Sequence, residues 1–378
     1  MASAAQPKAA SVLGKSRRIT IKVGSSLLAR PTDERRQWLS SLASDLAALR
    51  DDNRQIVIVS SGAVALGREI LGLRSSSRLD HKQAAAAAGQ PLLMAAWREA
   101  FADVPTAQLL LTIGDTEARR RWLNARATLT ALLDRGVIPI VNENDSVATE
   151  ELRYGDNDRL SARVAQMVTS DLLILLSDVD GIYDADPARS PGARRFECIE
   201  TIDEKLRSCA TGKSSSGLGS GGMTTKIEAA AIAQASGCAT IICCGRGDHP
   251  VRDVAECRVG ATLITAQQSA RGAYKTWIAG SLAPNGTLVV DDGATAALRT
   301  GKSLLPSGVR SVTGEFDGGA CVLVKTQAGE NVGQGLIRYS AVEARAIAGK
   351  RASDIEAALG YTRGDELIHR DDLVVRND

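Results

Sequence analysis

The chain alternates short apolar, β-branched runs with longer stretches whose apolar residues recur at helical spacing. The short runs predict strands at residues 19–23, 55–59, 106–111, 137–141, 172–176 and 240–243. The Ala/Leu-rich stretches between them predict helices over 35–50, 63–71, 82–101, 119–135, 158–169 and 224–235. Strand, helix, strand in steady succession is the signature of βαβ units, hence of a mainly parallel α/β sheet, open rather than closed into a barrel. After about Trp277 the texture changes. Short strands such as 286–290 and 320–325, punctuated by Gly293, Gly301, Gly308, Gly314 and Gly318–Gly319, predict a separate small β-rich domain.

Composition narrows the class. With 378 residues, 44% hydrophobic and 24% charged, the chain has enough apolar side chains for two packed domains. Aromatics are only 3%, so the core must rest on Ala, Leu, Ile and Val, while Gly reaches 35. Lys+Arg 46 against Asp+Glu 44 leaves +2, too balanced for binding nucleic acid or a membrane surface by bulk charge. From residue 285 onward there are eleven basic and thirteen acidic residues, a net of −2. Seven cysteines without a Cys-x-x-Cys pattern argue against a disulfide framework or a zinc ribbon and fit a reducing cytoplasm. His81, His249 and His369 are too scattered for a zinc hydrolase or a histidine triad. Residues 1–17 read as a disordered tail, and no run of 18 apolar residues predicts a membrane span.

Chemistry therefore falls to Lys, Asp, Asn, Ser and backbone amides. Three Gly-Lys-Ser tripeptides tempt a P-loop reading, but the glycine required five residues earlier is Ala9, Arg207 or Ala296. Gly217-Leu-Gly-Ser-Gly-Gly222 matches the dinucleotide fingerprint in letters, yet lacks the preceding strand and the later acidic residue. Small residues running into Met223-Thr-Thr-Lys226 at a helix start still place free N–H groups, two hydroxyls and an ammonium where an anion would sit, unless the run is only a linker. Lys22 interrupts an apolar strand just before Gly24-Ser25-Ser26, as a phosphate ligand or an edge-strand lysine would. Val59-Ser-Ser-Gly-Ala63 repeats the strand, hydroxyl, glycine, helix design. Asn142-Glu-Asn-Asp145 and Gly155-Asp-Asn-Asp158 bring carboxylates and amides to the same sheet edge, to hold an amino cation, a hydrated cation or the lysines, or merely to cap a helix.

Taken in order, Ile21-Lys-Val-Gly-Ser-Ser26, Val59-Ser-Ser-Gly-Ala63, Val141-Asn-Glu-Asn-Asp145, Gly155-Asp-Asn-Asp158, Leu176-Ser-Asp178 and Ser216-Gly-Leu-Gly-Ser-Gly-Gly-Met-Thr-Thr-Lys226 resemble the glutamate 5-kinase branch of the amino acid kinase family. Asp292-Gly-Ala-Thr-Ala-Ala-Leu298 and Ser303-Leu-Leu-Pro-Ser-Gly308 resemble the PUA segment of its long form. The resemblance implies an αβα sandwich over 18–276, a PUA-like domain over 285–364 and a C-terminal tail over 365–378. It implies ATP-dependent phosphorylation of the L-glutamate γ-carboxylate, the first step of proline biosynthesis, with Mg²⁺ accompanying ATP and no residue of this chain singled out as a metal ligand. Another acidic amino acid kinase, acting on N-acetylglutamate or aspartate, is the alternative within the family, and an RNA-binding role of the PUA-like domain the alternative outside it. Carried over by position, Lys22, Lys226 and Asp158 are catalytic, while Ser61, Asp145 and Asn157 bind glutamate. Lys22, Ser177, Asp178, Ser220, Gly221, Gly222, Met223, Thr224, Thr225 and Lys226 bind ATP. Ser177 and Ser220 stand where the family often has Thr, and keep the hydroxyl. Proline as feedback inhibitor, a dimeric or tetrameric homo-oligomer and a cytoplasmic location complete what the resemblance implies.

Overall fold

A computed structural model describes residues 8–73, 78–147, 156–187, 189–209, 222–281 and 283–376. The chain divides into two compact units, Met1–Ala270 and Arg271–Asp378.

The first unit is built on eight strands: β1 (Arg18–Val23), β2 (Gln55–Ser60), β3 (Thr106–Leu111), β4 (Ile138–Glu143), β5 (Leu172–Ser177), β6 (Cys198–Ile199), β7 (Ala239–Cys244) and β8 (Ala261–Ile264). They lie in the order β3-β4-β2-β1-β5-β7-β8-β6, and every pairing is parallel except β7 with β8. Central parallel strands are covered on both faces and so read as unbroken apolar runs, as in Leu-Leu-Ile-Leu-Leu of β5. The side chains nevertheless separate by parity. Leu172, Ile174 and Leu176 join Ile19, Ile21, Val23, Trp38, Leu42 and Trp97 in one core. Leu173 and Leu175 join Ala162, Ala165, Ile227, Ala229 and Ala233 in the other. Helices Thr32–Asp51 and Leu79–Phe101 supply the first core, and Asp156–Met167 and Met223–Ala235 the second. The result is an αβα sandwich. The second core explains the scarcity of aromatics, since alanines on both helices fill it with little bulk.

The alternation that predicted strands and helices locates the main elements. β3 matches its predicted span, and the other predicted strands of this sheet lengthen by one or two residues. β4 runs on through Asn142 and Glu143, so those residues end the strand rather than follow it. Residues 8–15 correct the expected tail: Lys8–Lys15 is a helix whose Leu13, 1% exposed, enters the first core with Ala9. Its apolar residues sit four apart on one face, and burial of that face orders the segment.

In the second unit β9 (Gly286–Val290), β10 (Val309–Gly314), β11 (Cys321–Thr326), β12 (Asn331–Leu336) and β13 (Leu373–Val375) form a sheet in the order β10-β9-β11-β12-β13. Leu288, Val290, Val322, Val324 and Tyr339 form its core. Residues 365–376 correct the expected C-terminal tail, because β13 pairs with β12 and Leu367, Ile368 and Leu373 are buried in that core. The helix Ala270–Ser281 falls at the division, so the second unit begins before residue 276.

Cys198, Cys238, Cys243, Cys244, Cys257 and Cys321 are free thiols, and burial pushes the Cys243 thiol up to about 12. No helix among the described residues is long and apolar enough to cross a membrane.

Candidate active site

The strands β1, β2, β4 and β5 end at one edge of the sheet, and the polar residues predicted for the site collect there. Alternation along β1 puts Ile19, Ile21 and Val23 into the first core, which turns Lys22 toward the face carrying Asp156–Met167. Its Nζ lies 2.6 Å from Asp158 Oδ1. Lys226, in the first turn of Met223–Ala235, places its Nζ 3.3 Å from Asp158 Oδ2. The Thr225 hydroxyl is 2.9 Å from the same oxygen. One carboxylate thus brackets two ammonium groups, and all three side chains are buried: Asp158 is 1%, Lys226 5% and Lys22 8% exposed.

Such a cluster is stable only if its charges compensate one another. Burial by itself pushes the Asp158 carboxyl up, but the ammoniums of Lys22 and Lys226 beside it outweigh burial and hold it below the ordinary carboxylate value of 3.8. Lys22 goes the other way. Burial lowers it from 10.5, Asp158 raises it and Lys226 lowers it again, leaving it below the ordinary lysine value. The site is therefore a buried net positive charge with one fixed anion, prepared for further negative charge.

Beside the lysines, the Ser177 hydroxyl at the end of β5 donates to Asp178 Oδ1 at 3.0 Å, and Arg246 lies 3.9 Å from Asp178 Oδ2. Gly222 precedes Met223–Ala235 in extended conformation, and the first turn of that helix holds no acidic side chain, so its N–H groups and positive dipole end favour an anion. Thr224 also belongs to this turn, and Met223 packs against the second core. Ser220 and Gly221 lie outside the described residues.

On the β2 and β4 side, Asn157 donates through Nδ2 to Ser61 Oγ at 2.8 Å and to Asn142 Oδ1 at 3.2 Å. The N–H of Ser61 donates to Val23 O, which ties the end of β2 to β1. Gly62 follows at φ +112, a left-handed conformation that only glycine adopts without strain, and opens the helix Ala63–Ile70. Asp145 lines a cleft of about 220 Å³ together with Ala63, Gln90, Gln108 and Glu143.

The structure thus brings Lys22, Lys226 and Asp158 into contact, Ser61 to Asn157, and Ser177 to Asp178, with Asp145 on the adjoining cleft. Sequence reasoning missed Gln90 as a site residue. A polar side chain between Gly89 and Pro91 in an otherwise Ala/Leu-rich helix is the signal that would have found it. Among the described residues no group of three or more His, Cys, Asp or Glu is placed to hold a metal ion.

An open parallel sheet whose strand ends present two lysines on one aspartate, beside a helix N-terminus, is a phosphoryl-transfer architecture, and the chain belongs to the amino acid kinase family, whose model matches residues 17–244. Residues 286–359 match the PUA domain. The chain is 54% identical over 365 residues to the glutamate 5-kinase of Caulobacter vibrioides (strain NA1000 / CB15N), covering 95% of this chain and 96% of that one. Glutamate 5-kinase 1 of Rhizobium meliloti (strain 1021) is 49% identical over 372 residues, 97% of this chain and 94% of its own. The glutamate 5-kinase of Paramagnetospirillum magneticum (strain ATCC 700264 / AMB-1) is 48% identical over 369 residues, 97% of this chain and 99% of its own.

Proposed function

We propose that this chain transfers the γ-phosphoryl group of ATP to the side-chain carboxylate of L-glutamate, giving L-glutamyl 5-phosphate, the first step of proline biosynthesis. The observation that carries the reading is the Asp158 bracket on Lys22 and Lys226 beside the Ser61, Asn157 and Asp145 group. Near-complete alignment with relatives named for this activity agrees with it.

An ionised γ-carboxylate is already a nucleophile, so no side chain needs to abstract a proton. One of its oxygens attacks the γ-phosphorus, the bond from that phosphorus to the β,γ-bridging oxygen breaks, and ADP leaves with the electron pair. Positioning and charge neutralisation are what the protein supplies. Lys22 and Lys226 stabilise the charge on the transferring group, and Asp158 holds the two ammoniums in register without their spending reorganisation energy at that moment. Ser61, Asn157 and Asp145 hold glutamate. Ser177, Asp178 and the segment from Ser220 to Lys226 hold the nucleotide. A divalent cation, taken to be Mg²⁺, neutralises phosphate charge when bound. With Asp158 engaged by two lysines, the donors that fit this ion are the nucleotide's own oxygens and water.

Lys226→Ala tests the assignment. Acyl phosphate trapped as the hydroxamate, with glutamate and Mg·ATP, should fall about 10²-fold or more in kcat. A folded variant with full activity overturns it. Comparison of glutamate, N-acetylglutamate and aspartate at matched concentrations separates this reading from the other acidic amino acid kinases. Proline keeps the α-carboxylate of glutamate and should therefore inhibit competitively with it; a wholly noncompetitive pattern counts against a shared site. The assembly is proposed as a homo-oligomer in the cytoplasm, its size to be read by light scattering.

A further inference from the structure

The amides around the amino-acid site form one continuous chain whose direction is set by the Glu143 N–H and held at the other side of Asn142 by Gln90. The backbone N–H of Glu143 donates to Asn142 Oδ1 at 2.9 Å, so this side of the Asn142 amide must be its oxygen. Its Nδ2 then faces the other way and donates to Gln90 Oε1 at 2.9 Å. Asn142 Oδ1 also receives Asn157 Nδ2, which in turn donates to Ser61 Oγ. Two atoms are left over. Asn157 Oδ1 and Gln90 Nε2 are buried without hydrogen-bond partners among the described residues. Asn142 is 1% and Gln90 8% exposed, and Gln90 lines the cleft that Asp145 and Glu143 share.

A buried acceptor without a donor costs free energy that a ligand's N–H can recover. Ser61 Oγ already accepts from Asn157, so its own hydrogen remains to be donated to an oxygen. An acidic amino acid carries carboxylates, which accept, and an α-ammonium, the one group on it that donates at neutral pH. We infer that Gln90 is a positioning residue of the amino-acid site: acting through Asn142, it fixes the direction of the Asn157 amide and so presents Asn157 Oδ1 to the substrate's α-ammonium. This rests on the reading of an acidic amino acid as substrate. Asn142 is locked from both sides, by an N–H that demands its oxygen and by Gln90 Oε1, which demands its nitrogen. Removal of the Gln90 oxygen leaves Asn142 Nδ2 buried without an acceptor, so only the Glu143 N–H still opposes turning of the amide, and Asn157 follows when it turns.

The test compares kcat/KM for L-glutamate with that for glutarate, the same dicarboxylate without the amino group. The ratio is internal to each preparation, so the folded fraction cancels. Wild type should prefer glutamate by about 10²-fold or more, because the analogue leaves a buried acceptor unmatched. Gln90→Met, close in shape but apolar, should narrow that ratio by about tenfold while leaving KM for ATP unchanged. Gln90→Glu keeps an acceptor for Asn142 and should restore most of the ratio, whatever it does to Tm. A ratio in Gln90→Met within twofold of wild type overturns the inference, and so does a wild type that accepts both acids equally. Loss of activity on both acids in both variants at normal Tm also overturns it. A wild type that phosphorylates neither acid instead defeats the reading of the reaction.

Discussion

At the scale of single residues, the balance of charge around Asp158 sets both stability and pH dependence. The folded pKa of Asp158 lies below its ordinary value of 3.8, so its contribution is fully present above that value and is lost as pH falls through the range beneath it. Burial depresses Lys22, so its ammonium, the charge proposed to meet the phosphates, is lost as pH rises through a value under 10.5. Between that value and the unfolded one, stability rises with pH, because the unfolded chain binds the extra proton. The alkaline limb of kcat should therefore have its midpoint below 10.5. Asp158→Asn removes the neighbour that favours the charged lysine, so in this variant the midpoint should move further down. It should also lose about 3–5 kcal/mol of stability, since two ammoniums remain buried with no counter-charge. A pH profile of kcat and a thermal melt check both, and a midpoint unmoved or raised in the variant contradicts the argument. Of these three residues, the sequence showed Lys22 as a cation out of place in an apolar strand and Lys226 as one at a helix start. Their common partner was legible only as one of several carboxylates able to hold the lysines, and resemblance alone singled it out, because Asp158 lies 136 residues from Lys22 and 68 from Lys226 and no fixed spacing links them.

At the scale of elements, the sheet was legible because strands covered on both faces must be continuous apolar runs and the helices between them must show their own period. Part of what escaped was short. The helix Lys8–Lys15, the four residues of β8 and the three of β13 offer less than the two or three periods a pattern needs, and their order comes from docking onto a core already formed. The amide chain from Gln90 to Ser61 escaped for a different reason. It joins two strand ends and two helices, so no local spacing encodes it. The helix that carries Gln90 is itself placed by close approach. A methyl group on Gly89 would meet Ala63 O at 1.9 Å, and one on Gly67 would meet Ala85 O at 1.7 Å. Helices Ala63–Ile70 and Leu79–Phe101 therefore touch backbone to backbone, with no side chain able to yield. Gly89→Ala must push the two apart, at a cost of about 3 kcal/mol. Because Ala63–Ile70 starts two residues after Ser61, the displacement should raise KM for glutamate more than KM for ATP. Steady-state kinetics with each substrate varied in turn, alongside Tm, tests this, and a variant as stable as wild type refutes the close-contact account.

At the scale of the whole molecule, chemistry and the second unit are separable. Every described residue assigned to catalysis or substrate binding lies between Lys22 and Lys226, inside Met1–Ala270, and that unit has cores of its own. Arg271–Asp378 closes a separate core around Leu288, Val324, Tyr339 and Ile368 and contributes none of those side chains. Residues 1–270 expressed alone should fold and keep kcat and KM for glutamate within about threefold of the full chain, since a uniform change of that size is under 1 kcal/mol. Loss of activity in a folded fragment would mean that the second unit supplies part of the site. The complementary fragment tests the other role its fold invites. Residues 271–378 carry thirteen basic and thirteen acidic residues, a net charge of zero, and a surface that binds phosphates by counterion release needs a local excess of lysine and arginine. Residues 271–378 should therefore show no binding to structured RNA at low salt. Salt-sensitive binding there would instead reveal a local basic patch within a balanced total charge, and would give the second unit a function independent of phosphoryl transfer.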